Sequence, residues 1–99
     1  MAVFYVYVLE VMAQNGKKRY YTGYTNNLYR RWNEHRNGAG AKFCRGKKLI
    51  ELKYFETYPT RKEAMRRERE IKSLSKKEKR DLGKGFIDFL NLINLIKVK

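Results

Sequence analysis

The sequence predicts an α+β domain built on a three-stranded antiparallel sheet, with its elements in the order β-β-α-β-α-α. A β-branched and aromatic run from Phe4 to Leu9 is followed by Asn15-Gly16 and a second such run from Lys18 to Tyr24. Asn-Gly between two strand-like runs is the strongest short-range signal for a β-hairpin. Two capping boxes, which begin at Thr60 and at Ser75, mark helix starts later in the chain. The 99 residues amount to a single domain.

The remaining elements are placed by capping residues and chain breakers. An asparagine can cap a first helix, and Gly38 stands where that helix would stop. Pro59 closes a third β-branched and aromatic run. We therefore expect a helix from Asn26 or Asn27 to about Asn37, a strand from Leu49 to Tyr58, and helices opened by Thr60 and by Ser75.

The C-terminal segment has a different pattern from the rest of the chain. We divide the sequence into a domain at residues 1–85 and an apolar helix at residues 86–99. Polar residues recur there at every third position, which gives a helix one broad apolar face. Such a helix packs on its own domain, pairs with a second copy, or lies on a lipid surface. The polar positions are Asp88, Asn91, Asn94 and Lys97.

Positive charge is the most unusual property of the composition. Lys and Arg number 24 against 10 acids, a formal net charge of +14. Such an excess indicates a polyanionic partner, nucleic acid before an anionic membrane, although charge can also serve solubility alone. No stretch approaches the roughly 20 apolar residues of a membrane span, and residues 1–5 lack the basic region and cleavage site that a signal peptide would have. With one cysteine, Cys44, and no membrane segment, we expect a cytoplasmic protein.

Two polar residues of the first helix are predicted to lie on the face that turns towards the core. Leu28 and Trp32 mark the apolar stripe, and Arg31 and His35 lie on or beside it. An inward arginine needs a partner for its head group. The alternative is an arginine whose stem packs on the sheet while its head reaches solvent.

The second helix contains a carboxylate with the same kind of orientation. Glu68 lies within about 40° of the centre of the face formed by Ala64, Met65, Ile71 and Leu74. A surface salt bridge to neighbouring cations would explain it. The other interpretation is a ligand for a hard divalent cation, since Mg²⁺ takes one or two carboxylates together with water and phosphate oxygens.

Strand tyrosines are ambiguous in the same way. Tyr7 and Tyr21 each lie on one face of their strand, and Gly23 shares the face of Tyr21. A strand tyrosine usually packs with its hydroxyl at the rim. A glycine inside a strand indicates a close approach by a backbone or a ligand.

Taken together in chain order, these residues resemble the GIY-YIG nuclease superfamily, in particular its small stand-alone members. Tyr5-Val6-Tyr7 is similar to the first signature element, with Tyr5 in place of the usual glycine, and Tyr21-Thr22-Gly23 is similar to the second. The run Thr25 to Arg31 with His35 resembles the family's arginine helix. The resemblance spans about residues 3 to 82, and no counterpart of the family's late asparagine is evident.

The resemblance implies phosphodiester hydrolysis with one divalent metal ion, Mg²⁺ or Mn²⁺. It implies that Glu68 holds the metal and that Arg31 stabilises charge on the phosphate. Tyr21, with Tyr7 beside it, would help to deprotonate the attacking water. His35 would polarise a tyrosine or contact the phosphate.

We therefore predict a metal-dependent endonuclease that acts on nucleic acid, with DNA as the expected substrate. The alternative is a binding module that keeps the nuclease fold and the basic surface but does not cleave. A basic, glycine-rich loop can approach a nucleic-acid backbone closely. The residues expected to contact nucleic acid are Gly23, Tyr24, Thr25, Arg30, Lys42, Arg45, Lys47 and Lys48.

Overall fold

One antiparallel sheet organises the chain in the computed structural model, which describes residues 3–37 and 49–98. The strand order is β2-β1-β3, so β1 is central and both other strands are edges. The predicted fold class and element order are confirmed. The elements are β1 (Phe4–Met12), β2 (Lys18–Thr25), α1 (Leu28–Arg36), β3 (Leu49–Tyr58), α2 (Arg61–Lys72) and α3 (Lys76–Val98).

The predicted caps lie where the helices begin. The Asn27 side chain accepts a hydrogen bond from the Arg30 backbone N–H at the start of α1. Thr60 accepts from the Glu63 N–H before α2, and Ser75 and Glu78 exchange two hydrogen bonds before α3. These contacts satisfy backbone donors that a helix leaves open, and they fix the points at which the chain turns back over the sheet.

The two faces of the sheet are covered by different helices. Tyr7, Leu9 and Val11 of β1 pack on the α1 side, with Leu28 and Trp32 against them. On the opposite face, buried β1 residues pack with α2 and the first part of α3. The core of that face consists of Val6, Val8, Ala64 and Ile71. Met65, expected on the apolar face of α2, is 39% exposed because it lies one residue beyond the stripe that Ala64 and Ile71 define.

A one-residue bulge interrupts the pairing of β1 with β3. Val8 pairs with Tyr54 and Leu9 with Leu52, so Lys53 is left over. In a regular strand without the bulge, Leu52 and Phe55 would project to opposite faces, because they are three residues apart and side chains alternate along a strand. With it, both pack towards α1.

The C-terminal segment predicted from Phe86 onwards is the second part of the continuous helix α3. Its first residue packs on the sheet, because the Phe86 ring contacts those of Tyr54 and Phe55. Beyond it, four large apolar side chains are exposed: Ile87, Phe89, Leu90 and Leu92. Among the helices in the described ranges, none is both long enough and apolar enough to cross a bilayer.

Candidate active site

A cleft of about 380 Å³ lies where β2 ends at the edge of the sheet, between α1 and α2. We call it the active cleft. Residues from both faces of the sheet reach it, because β2 is an edge strand. Its polar lining is contributed by β1, β2 and both helices. The lining residues are Phe4, Tyr7, Tyr21, Gly23, Tyr24, Thr25, Asn26, Arg31, Arg61 and Glu68.

Tyr7 forms the buried wall of the cleft, and His35 lies directly behind it. The Tyr7 hydroxyl lies 2.8 Å from Nε2 of His35, and both residues are almost fully buried. Gly23 pairs with Tyr7 across the β1-β2 ladder. A Cβ atom at Gly23 would lie 2.5 Å from the Tyr7 hydroxyl oxygen. The glycine predicted to permit a close approach therefore makes room for the Tyr7 phenol.

His35 is neutral at neutral pH in this environment. Burial, and then the positive charge of Arg31, lower the pKa of His35 below its ordinary value. Its ring packs edge-on to Tyr21, with 5.1 Å between the ring centroids. A neutral imidazole has one ring nitrogen able to accept a proton and one that donates. His35 can therefore form its hydrogen bond with Tyr7 without carrying a charge into the core.

We expect the stability of the protein to fall as the pH drops from about 7 to about 5. The unfolded chain has an imidazole with the ordinary pKa of about 6.5, whereas the folded chain resists protonation. Stability is therefore complete above the unfolded pKa and falls below it, by at most about 1.4 kcal/mol per pH unit. Denaturant unfolding across this range checks it, with His35→Gln giving a flatter profile. His35 is the only histidine. Parallel profiles for the two proteins would contradict the role given to His35.

Arg31 lies in the cleft beside Tyr7 and next to an acidic neighbour on α1. Burial opposes its charge, but interactions with Tyr7 and Glu34 outweigh that effect and raise the pKa of Arg31. Nη1 lies 3.3 Å from a Glu34 carboxylate oxygen, and the Arg31 side chain stays 35% exposed. The guanidinium therefore has a partner and still reaches the cleft, which combines the two alternatives that the sequence left open.

Glu68 supplies the carboxylate on the α2 side of the cleft. Its side chain is 16% exposed and lies 3.5 Å from Lys72 on the same helix. Both the inward orientation and the salt bridge expected as alternatives are therefore present. In the described part of the chain, no three His, Cys, Asp or Glu side chains lie close enough together to hold a metal ion. A single carboxylate is compatible with Mg²⁺, which keeps water ligands and takes substrate phosphate oxygens. It is too few ligands for a site made only of protein groups.

Behind Glu68, the preceding residue of α2 is fastened to β3. Arg67 donates two hydrogen bonds to Glu56, at 2.9 and 3.0 Å, and Tyr54 and Tyr58 also donate to that carboxylate. Burial would raise the pKa of Glu56, but these donors outweigh it and lower the value. Burial and the bond to Glu56 raise the pKa of Tyr54 to about 12. We call this cluster the Glu56 brace.

The structure brings most of the predicted site residues together. The four that share the active cleft with direct lining contacts are Tyr7, Tyr21, Arg31 and Glu68, and His35 lies directly behind Tyr7. Gly23, Tyr24 and Thr25 also line it. Arg30 is exposed on α1 and does not line the cleft, because it lies about 100° around the helix from Arg31. Four predicted contacts lie outside the described residues: Lys42, Arg45, Lys47 and Lys48.

Three lining residues were not predicted as site residues from the sequence: Phe4, Arg61 and Asn26. Arg61, the first residue of α2, lies over the Phe4 ring with 5.3 Å from its guanidinium carbon to the ring centroid. It precedes Glu68 by seven residues, so helical periodicity places the two on one face. That spacing could have identified Arg61. Asn26 precedes the capping residue Asn27, and no pattern in the sequence distinguishes it.

A profile of the GIY-YIG catalytic domain matches residues 3–81, which include every element that contributes to the cleft. The chain belongs to the GIY-YIG family. Membership indicates a nuclease-like function and an interaction with nucleic acid.

Its relatives include small proteins known as UPF0213 proteins. The chain is 41% identical over 84 residues to one from Haloquadratum walsbyi. The aligned region covers 85% of this chain and 90% of the relative. It is 42% identical over 78 residues to one from Clostridium perfringens, with 79% and 80% covered. A solution NMR structure of a UPF0213 protein from Bacillus halodurans matches at 41% identity with 81% of each chain covered and a TM-score of 0.46.

Proposed function

We propose that this protein is a metal-dependent endonuclease that hydrolyses phosphodiester bonds in DNA. The observation that carries the proposal is the active cleft, where two tyrosines, an arginine and a carboxylate meet. The formal net charge of +14 supports a polyanionic substrate.

Arg31 binds the scissile phosphate in this proposal. A guanidinium is planar and can donate two parallel hydrogen bonds to phosphate oxygens. Its raised pKa keeps it charged, so it stabilises negative charge that accumulates on the phosphate in the transition state. Arg61, at the opposite side of the cleft beside Phe4, supplies a second cation for the substrate backbone.

In this proposal Tyr7 takes the proton of the attacking water and passes its own hydroxyl proton to Nε2 of His35. The neutral imidazole can accept a hydrogen bond from the Tyr7 hydroxyl at 2.8 Å. A phenol with a pKa near 10 is a weak base at neutral pH unless its anion is favoured. The positive charge of Arg31 beside Tyr7 favours that anion. Tyr21, whose ring centroid lies 6.4 Å from that of Tyr7, lines the same cleft and would contact the attacking water there.

Glu68 is the residue that would hold a divalent cation, Mg²⁺ or Mn²⁺. Such an ion would lower the pKa of bound water and neutralise charge on the phosphate. The ion pair of Glu68 with Lys72 is of a kind worth about 0.5 kcal/mol, so it does not prevent the carboxylate from taking another cation.

The proposal is tested by incubating the protein with branched, nicked, duplex and single-stranded DNA. We expect cleavage with Mg²⁺ or Mn²⁺, none with a chelator, and a loss of about a hundredfold or more in Glu68→Gln. Glu70→Gln, an exposed change on the same helix, is the matched control and should leave the rate unchanged. Equal cleavage by wild type and Glu68→Gln would point to a contaminating nuclease and sink the proposal.

The second candidate is a nucleic-acid-binding module that does not cleave. The observation that favours it is the basic charge, which requires no chemistry. Binding to DNA without cleavage by wild type under every divalent ion tried would select this alternative.

A homodimer through the second part of α3 is the partner arrangement that the exposed apolar residues favour. Phe89 and Leu92 are 58% and 56% exposed, and pairing would remove that apolar surface from water. We expect the full chain to sediment at twice its mass, and Phe89→Lys/Leu92→Lys at its monomer mass. Tyr29→Lys, a similar change at an exposed position on α1, should leave the mass unchanged. A wild-type protein that sediments as a monomer at all concentrations would contradict the proposed homodimer.

A further inference from the structure

A second concave surface lies at the opposite end of β2 from the active cleft. Its volume is about 300 Å³, and we call it the basic groove. It is formed where the β1-β2 hairpin meets the first turns of α3. Five of its six lining residues are cationic, and none is acidic. They are Lys17, Lys18, Arg19, Tyr20, Lys76 and Lys79.

The charges of this groove are poorly compensated. Lys18 forms an ion pair with Glu10 at 3.6 Å. The Tyr20 hydroxyl donates to the other oxygen of Glu10 at 3.0 Å, so this carboxylate is already engaged. Within residues 3–37 and 49–98, the remaining four cations of the groove form no ion pair. Three of the five side chains come from the hairpin and two from α3, so the fold and not local sequence alone brings them together.

Strand β2 connects the groove to the active cleft. Lys18 and Thr25 are its first and last residues, and at about 3.4 Å per residue they lie about 24 Å apart. Tyr20 lines the groove and Tyr24 lines the cleft, and both pack on the α2 and α3 side of the sheet. A DNA strand rises about 3.4 Å per nucleotide, so about seven base pairs would extend from one to the other.

We infer that the basic groove is a second binding site for the phosphodiester backbone, which holds duplex on one side of the scissile phosphate. The inference rests on the proposed function only in taking nucleic acid as the ligand. Its cations are four lysines and one arginine, all at exposed positions except the half-buried Lys79. Surface cations of this kind are typical of contacts that position a backbone without reading bases. It predicts that the protein prefers duplex long enough to reach both sites.

The test is the salt dependence of DNA binding, measured by fluorescence anisotropy with a chelator so that no cleavage occurs. The probe is a duplex of about 20 base pairs, almost three times the span of about seven base pairs between the sites. The groove variant is Arg19→Gln/Lys76→Gln, which takes one cation from each side. The control is Arg66→Gln/Arg69→Gln, which removes the same charge from exposed positions of α2 that line neither surface.

Each phosphate contact adds about 0.9 to the slope of log K against log salt. We expect the groove variant to lower the slope by almost two, with a loss of affinity of about tenfold to a hundredfold at low salt. The control should change the slope by much less. Equal changes in both variants would overturn the inference, as would a wild type that does not bind the duplex.

The proposal that the basic groove binds nucleic acid and the proposal that the active cleft cleaves it can be disproved separately. If wild type never cleaves with Mg²⁺ but the groove variant shows the expected slope, the proposed nuclease activity fails and the second binding site stands. If vesicles that contain phosphatidylserine bind wild type and not the groove variant, while duplex binding is the same in both, the groove is a lipid site and the inference is overturned.

Discussion

Gly23→Ala is expected to destabilise the fold and to abolish most cleavage. The new Cβ atom would lie 2.5 Å from the hydroxyl oxygen and 2.7 Å from Cζ of Tyr7. Tyr7 is 1% exposed, so its ring cannot move into solvent. Overpacking of this kind costs about 1–3 kcal/mol. A displacement of about 1 Å at a catalytic group can cost about a hundredfold in rate. Denaturant unfolding and single-turnover cleavage measure the two effects.

The control for this change is Gly85→Ala. A Cβ atom at Gly85 has no neighbour within 4 Å, and the residue lies inside α3. Alanine there should be neutral or stabilise the helix by up to about 1 kcal/mol. Gly23→Ala combined with Tyr7→Phe should cost less than the sum of the two single changes, because the shortest contact is removed. Additive costs, or full activity of Gly23→Ala, would show that the Tyr7 position is not determined by this contact.

Arg31→Lys is expected to lower the cleavage rate by about a hundredfold to a thousandfold. Lysine keeps the positive charge but cannot donate two parallel hydrogen bonds from a planar group. The ion pair with Glu34 can still form, so the fold should be retained. DNA affinity should fall only a few-fold, because the rest of the basic surface is unchanged. The measurement is the single-turnover rate at saturating DNA beside the dissociation constant.

The matched control is Arg66→Lys on α2, which is exposed and lines neither the active cleft nor the basic groove. Its rate should equal that of wild type. If Arg31→Lys also cleaves at the wild-type rate, charge alone is sufficient at this position. The role of a planar donor would then be wrong.

Helical periodicity and turn chemistry were sufficient to predict most of the architecture. The hairpin followed from Asn15-Gly16, and the helix starts from the side chains of Asn27, Thr60 and Ser75. The orientations of His35 and Glu68 followed from 100° per residue, and the structure confirms that both point inward. Those signals are local in sequence, so they can be interpreted without knowing which elements pack against one another.

What could not be predicted depends on contacts between distant segments. The bulge at Lys53 inserts one residue into β3 and changes the face of every residue before it, which strand alternation alone does not reveal. The basic groove joins the hairpin to α3, across more than fifty residues of chain. In the cleft, the spacing of Arg61 from Glu68 is visible in the sequence, but its contact with the Phe4 ring is not, because that contact joins α2 to β1.

The Glu56 brace has a consequence for how a cation would bind. Arg67 is fixed to β3, while Ala64 and Ile71 of the same helix are fully buried, so α2 is held both against rotation and against sliding. Glu68 is therefore preorganised: its backbone is already in place, and only its own rotamers remain to be ordered. That ordering costs at most about 2 kcal/mol of side-chain entropy. A weak ligand set of one carboxylate can suffice when the scaffold beneath it does not have to move.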